Sequence, residues 1–190
     1  MPHGKGIALR LMDWFVRGAQ FSCSVVILGI YGYFISILNS HGLMVDKWLR
    51  AVVGISGGAI IYTFATLVLL CFLVGHPFVA TVSTFFDIIF FGGFIYIAYA
   101  NRGGARSCNA YEDTPIGMGN ADDRLDSANG SSSSPTYRYA CRLEKVTLAL
   151  SIIGLLFFLF SMIVEGMLGR RRRAEQWAAT SSNSSQKRWF

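Results

Sequence analysis

The sequence predicts an all-α fold, a four-helix transmembrane bundle with a short N-terminal interfacial helix and a flexible loop between helices 3 and 4. Hydrophobic residues make up 53% of the 190-residue chain and charged residues only 15%, which is a membrane composition. Four apolar segments are each long enough to cross about 30 Å of hydrocarbon as a helix. Charged residues flank these segments, and Asp87 is the exception.

Residues 1–18 are predicted to form a cytoplasmic amphipathic segment. A helix would carry Ile7, Leu11, Trp14 and Phe15 on one face and Lys5, Arg10, Asp13 and Arg17 largely on the other. This pattern is typical of a helix that lies in the membrane interface. A frayed basic terminus is the alternative.

The first two spans are predicted at about residues 19–38 and 51–74. Between them, a short turn leads to the polar and aromatic residues 46–50, which are typical of a membrane boundary. In the second span Gly54 and Gly58 are four residues apart, a spacing that lets another helix approach closely. Ordinary packing inside the bundle explains this spacing as well as self-association does.

The third span is predicted at about residues 78–100, and residues 75–77 leave almost no loop before it. It contains Asp87, close to the bilayer midplane. An intramembrane carboxylate costs at least a few kcal/mol unless it is protonated or partnered, so Asp87 should face the bundle interior. Its role is either a structural hydrogen bond to a Ser, Thr, Tyr or backbone group of a neighbouring helix, or a proton or ion relay. A transport path would need more polar groups on the same faces, and candidates such as Ser56, Tyr62 and Thr66 are few.

The outer loop, residues 101–141, changes to a composition of Gly, Ser, Asn and Asp, which predicts a mobile segment that buries no core. Cys108 and Cys141 lie near its two membrane ends and are a candidate disulfide, with two free thiols as the alternative. Asn129 begins an Asn-Gly-Ser sequon and is a candidate N-glycosylation site. Both features favour the lumenal or extracellular side.

The fourth span is predicted at about residues 145–168, because residues 146–164 carry no charge. A basic, Ser-rich cytoplasmic tail, residues 169–190, follows it. The tail opens with Arg170, Arg171, Arg172 and Arg173, which are predicted to contact anionic lipid headgroups. These arginines, the sequon and the loop cysteines together predict that the N and C termini are cytoplasmic. The predicted location of the protein is the plasma membrane or the endomembrane system.

Several local sequences resemble the fungal branch of the MARVEL-domain family, tetraspan membrane proteins. They are Arg17-Gly18-Ala19-Gln20-Phe21, Phe86-Asp87-Ile88-Ile89-Phe90, Cys108, and Cys141-Arg142-Leu143-Glu144-Lys145. The resemblance covers about residues 10–168, and the Ser-rich loop insert and the arginine-rich tail depart from the family. It implies a role in membrane apposition, vesicle trafficking or the lateral organisation of membrane domains, without catalysis. It also implies that Asp87 and the two loop cysteines occupy positions typical of the family.

An enzyme is not predicted, because the three histidines are scattered and no metal-binding spacing, phosphate loop or nucleophile elbow is present. No cofactor is expected. The formal charge of +6 lies at helix flanks and chain ends, which favours lipid headgroups over nucleic acid. Other membrane proteins or further copies of the chain are possible partners. A small ion channel or transporter subunit that uses Asp87 is the alternative function, and an adhesion protein is disfavoured by the short first outer loop.

Overall fold

The chain folds into four long helices and a small β-hairpin. The computed structural model describes residues 3–72, 77–109, 111–125 and 135–186, with side chains described for 11–69, 81–109, 111, 113–125, 135–167, 169 and 170. The helices are α1 (His3–Ser40), α2 (Lys47–Phe72), α3 (Pro77–Ala100) and α4 (Tyr137–Gln186). A 3₁₀ helix (Arg102–Ala105) and two antiparallel strands, β1 (Tyr111–Thr114) and β2 (Gly117–Asn120), lie between α3 and α4.

Each of the four helices is long and apolar enough to cross a membrane. The qualifying stretches are Leu11–Ser40, Lys47–Leu69, Thr81–Ala100 and Tyr137–Met167. They contain most of the four predicted spans, so the prediction of four long apolar helices is confirmed. Residues 70–74 of the second predicted span and 78–80 of the third fall outside these stretches.

The helices form an up-and-down bundle. Extensive contacts join α1 to α2, α2 to α3, α3 to α4 and α4 to α1, so α1 and α3 face each other across a diagonal. The turn after α1 and the described residues of the α3–α4 connection, 101–109, 111–125 and 135–136, lie at one end of the bundle, which we call the loop end. The start of α1 and the far part of α4 lie at the opposite end.

The amino-terminal segment differs from the prediction. Helix α1 runs without a break from His3 to Ser40, so the structure has no separate interfacial helix before the first span. The segment contains no proline after Pro2 that could end the helix. Leu11 and Phe15 point outward, with 68% and 71% of their surfaces exposed, whereas Arg17 on the supposed polar face is buried at 1%.

The prediction of a loop that buries no core is wrong for residues 111–125. Ile116, Ala121 and Leu125 are buried, and Ile116 and Leu125 pack into the same apolar core as Tyr137 at the start of α4. The composition of the loop does not indicate this burial, because the apolar residues are isolated among polar ones. They are buried only when the hairpin docks on α4. Asn129 lies outside the described residues.

The structure joins Cys108 and Cys141 in a disulfide, the pair that the sequence singled out. Cys141 lies in the first turns of α4, so the bond ties the segment before the hairpin to the fourth helix. Helix α4 extends well past the fourth span, and the backbone of the predicted tail is helical to Gln186. Arg170 is exposed, and the side chains of Arg171, Arg172 and Arg173 lie outside the described ones.

Polar side chains are buried inside the bundle, and apolar side chains cover its exterior. Large apolar side chains cover the outside, among them Ile61 at 73% exposure and Phe85 at 61%. Nine polar or charged residues of the four helices, and Asn101 directly after α3, are instead almost fully buried. The nine are Arg17, Gln20, Ser24, Ser56, Thr63, Asp87, Thr147, Ser151 and Ser161. A protein in water shows the reverse distribution, whereas this one suits a hydrocarbon surrounding.

We expect reduction of the Cys108–Cys141 bond to lower the free energy of unfolding by about 4 kcal/mol, because the bond closes a loop of 33 residues and restricts the unfolded chain. The measurement is unfolding of the purified protein in detergent micelles with and without a reductant. The double variant Cys108→Ser/Cys141→Ser is the control and should not respond to the reductant. A response of equal size in that variant would contradict the assignment.

Candidate functional site

Charged side chains from three helices meet inside the bundle. Arg17 from α1, Asp87 from α3 and Glu165 from α4 form what we call the ion cluster. Asp87 lies about 15 Å along the helix axis from Pro77 and about 20 Å from Ala100, so its carboxylate is well inside the length of α3. Arg17 and Glu165 approach it from near the ends of their apolar stretches, which begin at Leu11 and end at Met167. Asp87 is completely buried, and Glu165 retains 11% of its side-chain exposure.

Arg17 holds Asp87 with both ends of its guanidinium group. Nη1 donates to Oδ1 at 2.5 Å and Nη2 donates to Oδ2 at 2.9 Å. Two parallel charge-assisted bonds of this kind are among the strongest polar contacts in proteins, and they fix orientation as well as distance. Because α1 and α3 are diagonal neighbours, this contact crosses the centre of the bundle.

The same guanidinium reaches the fourth helix. Nη2 of Arg17 donates to Oε1 of Glu165 at 2.6 Å, and the Thr84 hydroxyl donates to the other carboxylate oxygen, Oε2, at 2.5 Å. Asp13 lies one turn before Arg17, with its Oδ1 3.9 Å from the guanidinium Nε. The contact with Glu165 is therefore direct and the contact with Asp13 is marginal.

Hydroxyl groups complete the surroundings of Asp87. The Tyr62 hydroxyl is 2.7 Å from Oδ1, and the Ser161 hydroxyl donates to Oδ2 at 2.9 Å. Arg17 also donates to the oxygen atoms of Tyr62, at 2.9 Å, and Ser83, at 2.7 Å. Tyr62 brings α2 into the network, so side chains of all four helices take part. Each Asp87 oxygen has one partner on the guanidinium and one hydroxyl, which satisfies a buried carboxylate.

The cluster contains one guanidinium and two carboxyl groups. If all three were ionised, the sum would be one excess negative charge in an apolar interior, where an uncompensated charge costs several kcal/mol. The direct contacts of Asp87 leave neither of its oxygens without a partner to act as a general base.

The sequence prediction for Asp87 is confirmed in its placement, since the carboxylate faces the interior. The hydroxyl partners on neighbouring helices are Tyr62 of α2 and Ser161 of α4. Ser56 and Thr66, which the sequence offered with Tyr62 as polar groups of a transport path, bond to backbone carbonyls of their own helix. The sequence prediction did not include Arg17, which is the strongest partner.

A periodic signal could have identified the two missed residues. Arg17 continues a buried stripe of α1 at helical spacing, followed by Gln20, Ser24, Ile27 and Tyr31. Glu165 likewise continues a stripe of α4 that contains Ser151, Phe158 and Ser161. Charges placed in register with a buried stripe indicate interior positions, even when they lie near the end of an apolar segment.

The other predicted site residues do not join the ion cluster. Cys108 and Cys141 are at the loop end, and Arg170 is exposed beyond the fourth span. No family model, no curated protein and no solved structure matches the chain. The MARVEL-like assignment therefore stays a prediction from local sequence.

We expect Arg17→Gln to lower the free energy of unfolding by about 3–5 kcal/mol, because it leaves two buried carboxyl groups without their cation. Glu165→Gln should cost only about 1 kcal/mol, since the Arg17–Asp87 pair stays intact and balanced. Both values come from equilibrium unfolding in micelles, with the exposed Arg50→Gln as the matched control. Equal costs for the two cluster variants would show that charge balance does not govern this site.

Proposed function

We propose that the chain is a multi-pass membrane protein of MARVEL-like type that organises membrane domains or takes part in membrane apposition and vesicle trafficking. One observation carries this proposal: the interior charges of three helices are bound to one another and to a hydroxyl group of the remaining helix, and the exterior is apolar. Such a bundle presents a hydrocarbon-compatible surface to lipid and to other helices, while its polar groups serve internal packing.

The proposed mechanism acts through lipids at the flanks of the bundle. Arg170 is exposed just beyond the fourth span, at the start of four consecutive arginines. Each basic residue near an anionic surface contributes about 1 kcal/mol of attraction, so the four would gather anionic lipid around the protein. We place these arginines and both termini on the cytoplasmic side, where anionic lipids are concentrated.

A small channel or proton-coupled transporter is the second candidate, and one observation favours it. Two carboxyl groups face one guanidinium, so the ion cluster has more acidic than basic groups inside the bundle. The bidentate Arg17–Asp87 contact argues against conduction, because a permeating ion would have to displace strong direct bonds. The organiser is therefore the better supported function.

Purified protein in liposomes of neutral lipid should give no proton or potassium flux above that of protein-free liposomes. Because Asp87 is held as part of a structural network, Asp87→Asn should leave this baseline unchanged. The measurement uses a trapped pH-sensitive dye and a potassium gradient. A wild-type flux that Asp87→Asn lowers about tenfold or more would replace the organiser with the transporter.

In liposomes that contain phosphatidylserine with a fluorescent acyl chain, we expect the protein to increase self-quenching of the label, because the arginines concentrate the anionic lipid. Replacing Arg170, Arg171, Arg172 and Arg173 with glutamine should abolish most of this increase. Replacing the exposed Arg50 and Arg142, at the loop end, is the matched control and should leave it intact. An unchanged signal in the first variant would contradict the lipid mechanism.

A further inference from the structure

A cavity of about 540 Å³ lies at the loop end, where α2 begins and α3 ends. Its volume is within the range of about 300–1,000 Å³ that is usual for small-molecule sites. Its lining comes from three parts of the chain: Asp46 and Trp48 at α2, Tyr96 and Tyr99 at α3, and the connection from Arg102 to Pro115. Glu144 of α4 also contributes to its wall.

Side chains of both charge signs converge on this cavity. Arg102 and Arg106 supply two positive charges, and Asp46 and Asp113 supply two negative ones, while the buried carboxyl group of Glu144 lies in the wall. These four are exposed, and within the described part of the chain none of them forms an ion pair with another residue within 4.0 Å. The cavity therefore presents separate positive and negative groups that do not neutralise each other directly.

Aromatic rings of α3 form one side of the cavity. Tyr96 and Tyr99 lie in the last turn of α3, with 40% and 62% of their surfaces exposed, at the limit of the apolar stretch that ends at Ala100. Tyrosine and tryptophan concentrate at the boundary between hydrocarbon and water. The guanidinium carbon of Arg102 lies 4.6 Å from the centre of the Tyr99 ring, which places the positive group at this boundary.

The positive side of the cavity is held rigidly. Gly103 and Gly104 lie so close to α4 that a β-carbon would fall 2.7 Å from a Glu144 carboxylate oxygen and 2.8 Å from the Lys145 backbone nitrogen. The glycines thus let the 3₁₀ helix that carries Arg102 rest directly on α4. The disulfide of Cys108 fixes the chain shortly after Arg106.

We propose that this cavity binds the zwitterionic headgroup of a membrane phospholipid, a phosphodiester joined to an ammonium group, as in phosphatidylcholine or phosphatidylethanolamine. Arg102 and Arg106 bind the phosphate, as guanidinium groups do. Asp46 and Asp113 attract the ammonium, and Trp48 adds an aromatic face for it. The acyl chains leave past Tyr96 along the apolar side of α3. The inference rests on the proposed membrane location.

The two acidic side chains give the site its selectivity. An anionic headgroup without an ammonium group would satisfy the arginines but would leave Asp46 and Asp113 facing extra negative charge. A soluble phosphodiester with an ammonium group, such as glycerophosphocholine, carries the same chemistry without acyl chains. A lipid site should therefore prefer the membrane-bound form, since the chains add apolar contact and hold the headgroup at the cavity mouth.

The test uses as its parent protein the full chain with Arg170, Arg171, Arg172 and Arg173 replaced by glutamine, because those arginines are proposed to gather anionic lipid at the opposite end. This parent is extracted from liposomes with equal amounts of phosphatidylcholine and phosphatidylglycerol, and the lipids that stay bound are measured by native mass spectrometry. We expect the parent to retain phosphatidylcholine about tenfold over phosphatidylglycerol. Adding Arg102→Gln/Arg106→Gln should bring the ratio close to one. The matched pair Arg50→Gln/Arg142→Gln, exposed at the same end but outside the cavity, should keep the ratio of the parent.

A second variant tests the negative side. Asp46→Asn/Asp113→Asn should shift retention toward phosphatidylglycerol, because the arginines then dominate the cavity. No preference in the parent protein, or the same loss in the matched pair, would overturn the proposal. Displacement of the lipid by glycerophosphocholine at an equal concentration would overturn its lipid part and indicate a soluble ligand. The phosphatidylserine experiment above depends on arginines at the opposite end, so the two proposals can fail separately.

Discussion

The Arg17 guanidinium is the group on which the arrangement of the four helices depends. It cannot be left alone in an apolar interior, and its partners lie on the other helices: Asp87 on α3, Glu165 on α4 and the Tyr62 hydroxyl on α2. Apolar packing tolerates small shifts along a helix axis, but a bidentate ion pair does not. The ion cluster therefore specifies the register of the bundle, and the surrounding aromatic packing, such as Phe94 against Phe158, supplies contact area.

The two ends of the molecule use different means to stay together. At the end opposite the loop end, toward the start of α1 and the far part of α4, the ion cluster joins the helices. At the loop end, the Tyr31 hydroxyl donates to Asn101 at 2.6 Å, the hairpin packs on α4 and a disulfide closes the connection. Because a disulfide and apolar contacts stabilise the loop end, the exposed charged side chains around the cavity are not needed to hold it together. The charged side chains of the ion cluster are needed, because each of them binds a fixed partner on another helix.

The sequence predicted what depends on local composition and missed what depends on tertiary contact. The four long apolar helices follow from uninterrupted hydrophobic runs, and the interior position of Asp87 follows from the cost of a charge in hydrocarbon. The sequence predicts Arg17 on a polar outer face, because the predicted first span begins only at residue 19. The hairpin was missed because Ile116 and Leu125 are isolated apolar residues, and only docking on α4 shows that they are buried.

The diagonal position of the Arg17–Asp87 contact has a consequence for the order of assembly. Neighbouring helices α1 with α2, and α3 with α4, share extensive interfaces and can associate as hairpins from local apolar contact alone. The bond between Arg17 and Asp87 forms only when the two hairpins come together. Until then the Arg17 guanidinium in one half, and the Asp87 and Glu165 carboxyl groups in the other, lack their partners across the bundle, which is costly in any apolar surrounding. Completion of the bundle is thus an electrostatic event, and a half-assembled chain differs from the finished one by ion pairs that it has not yet formed.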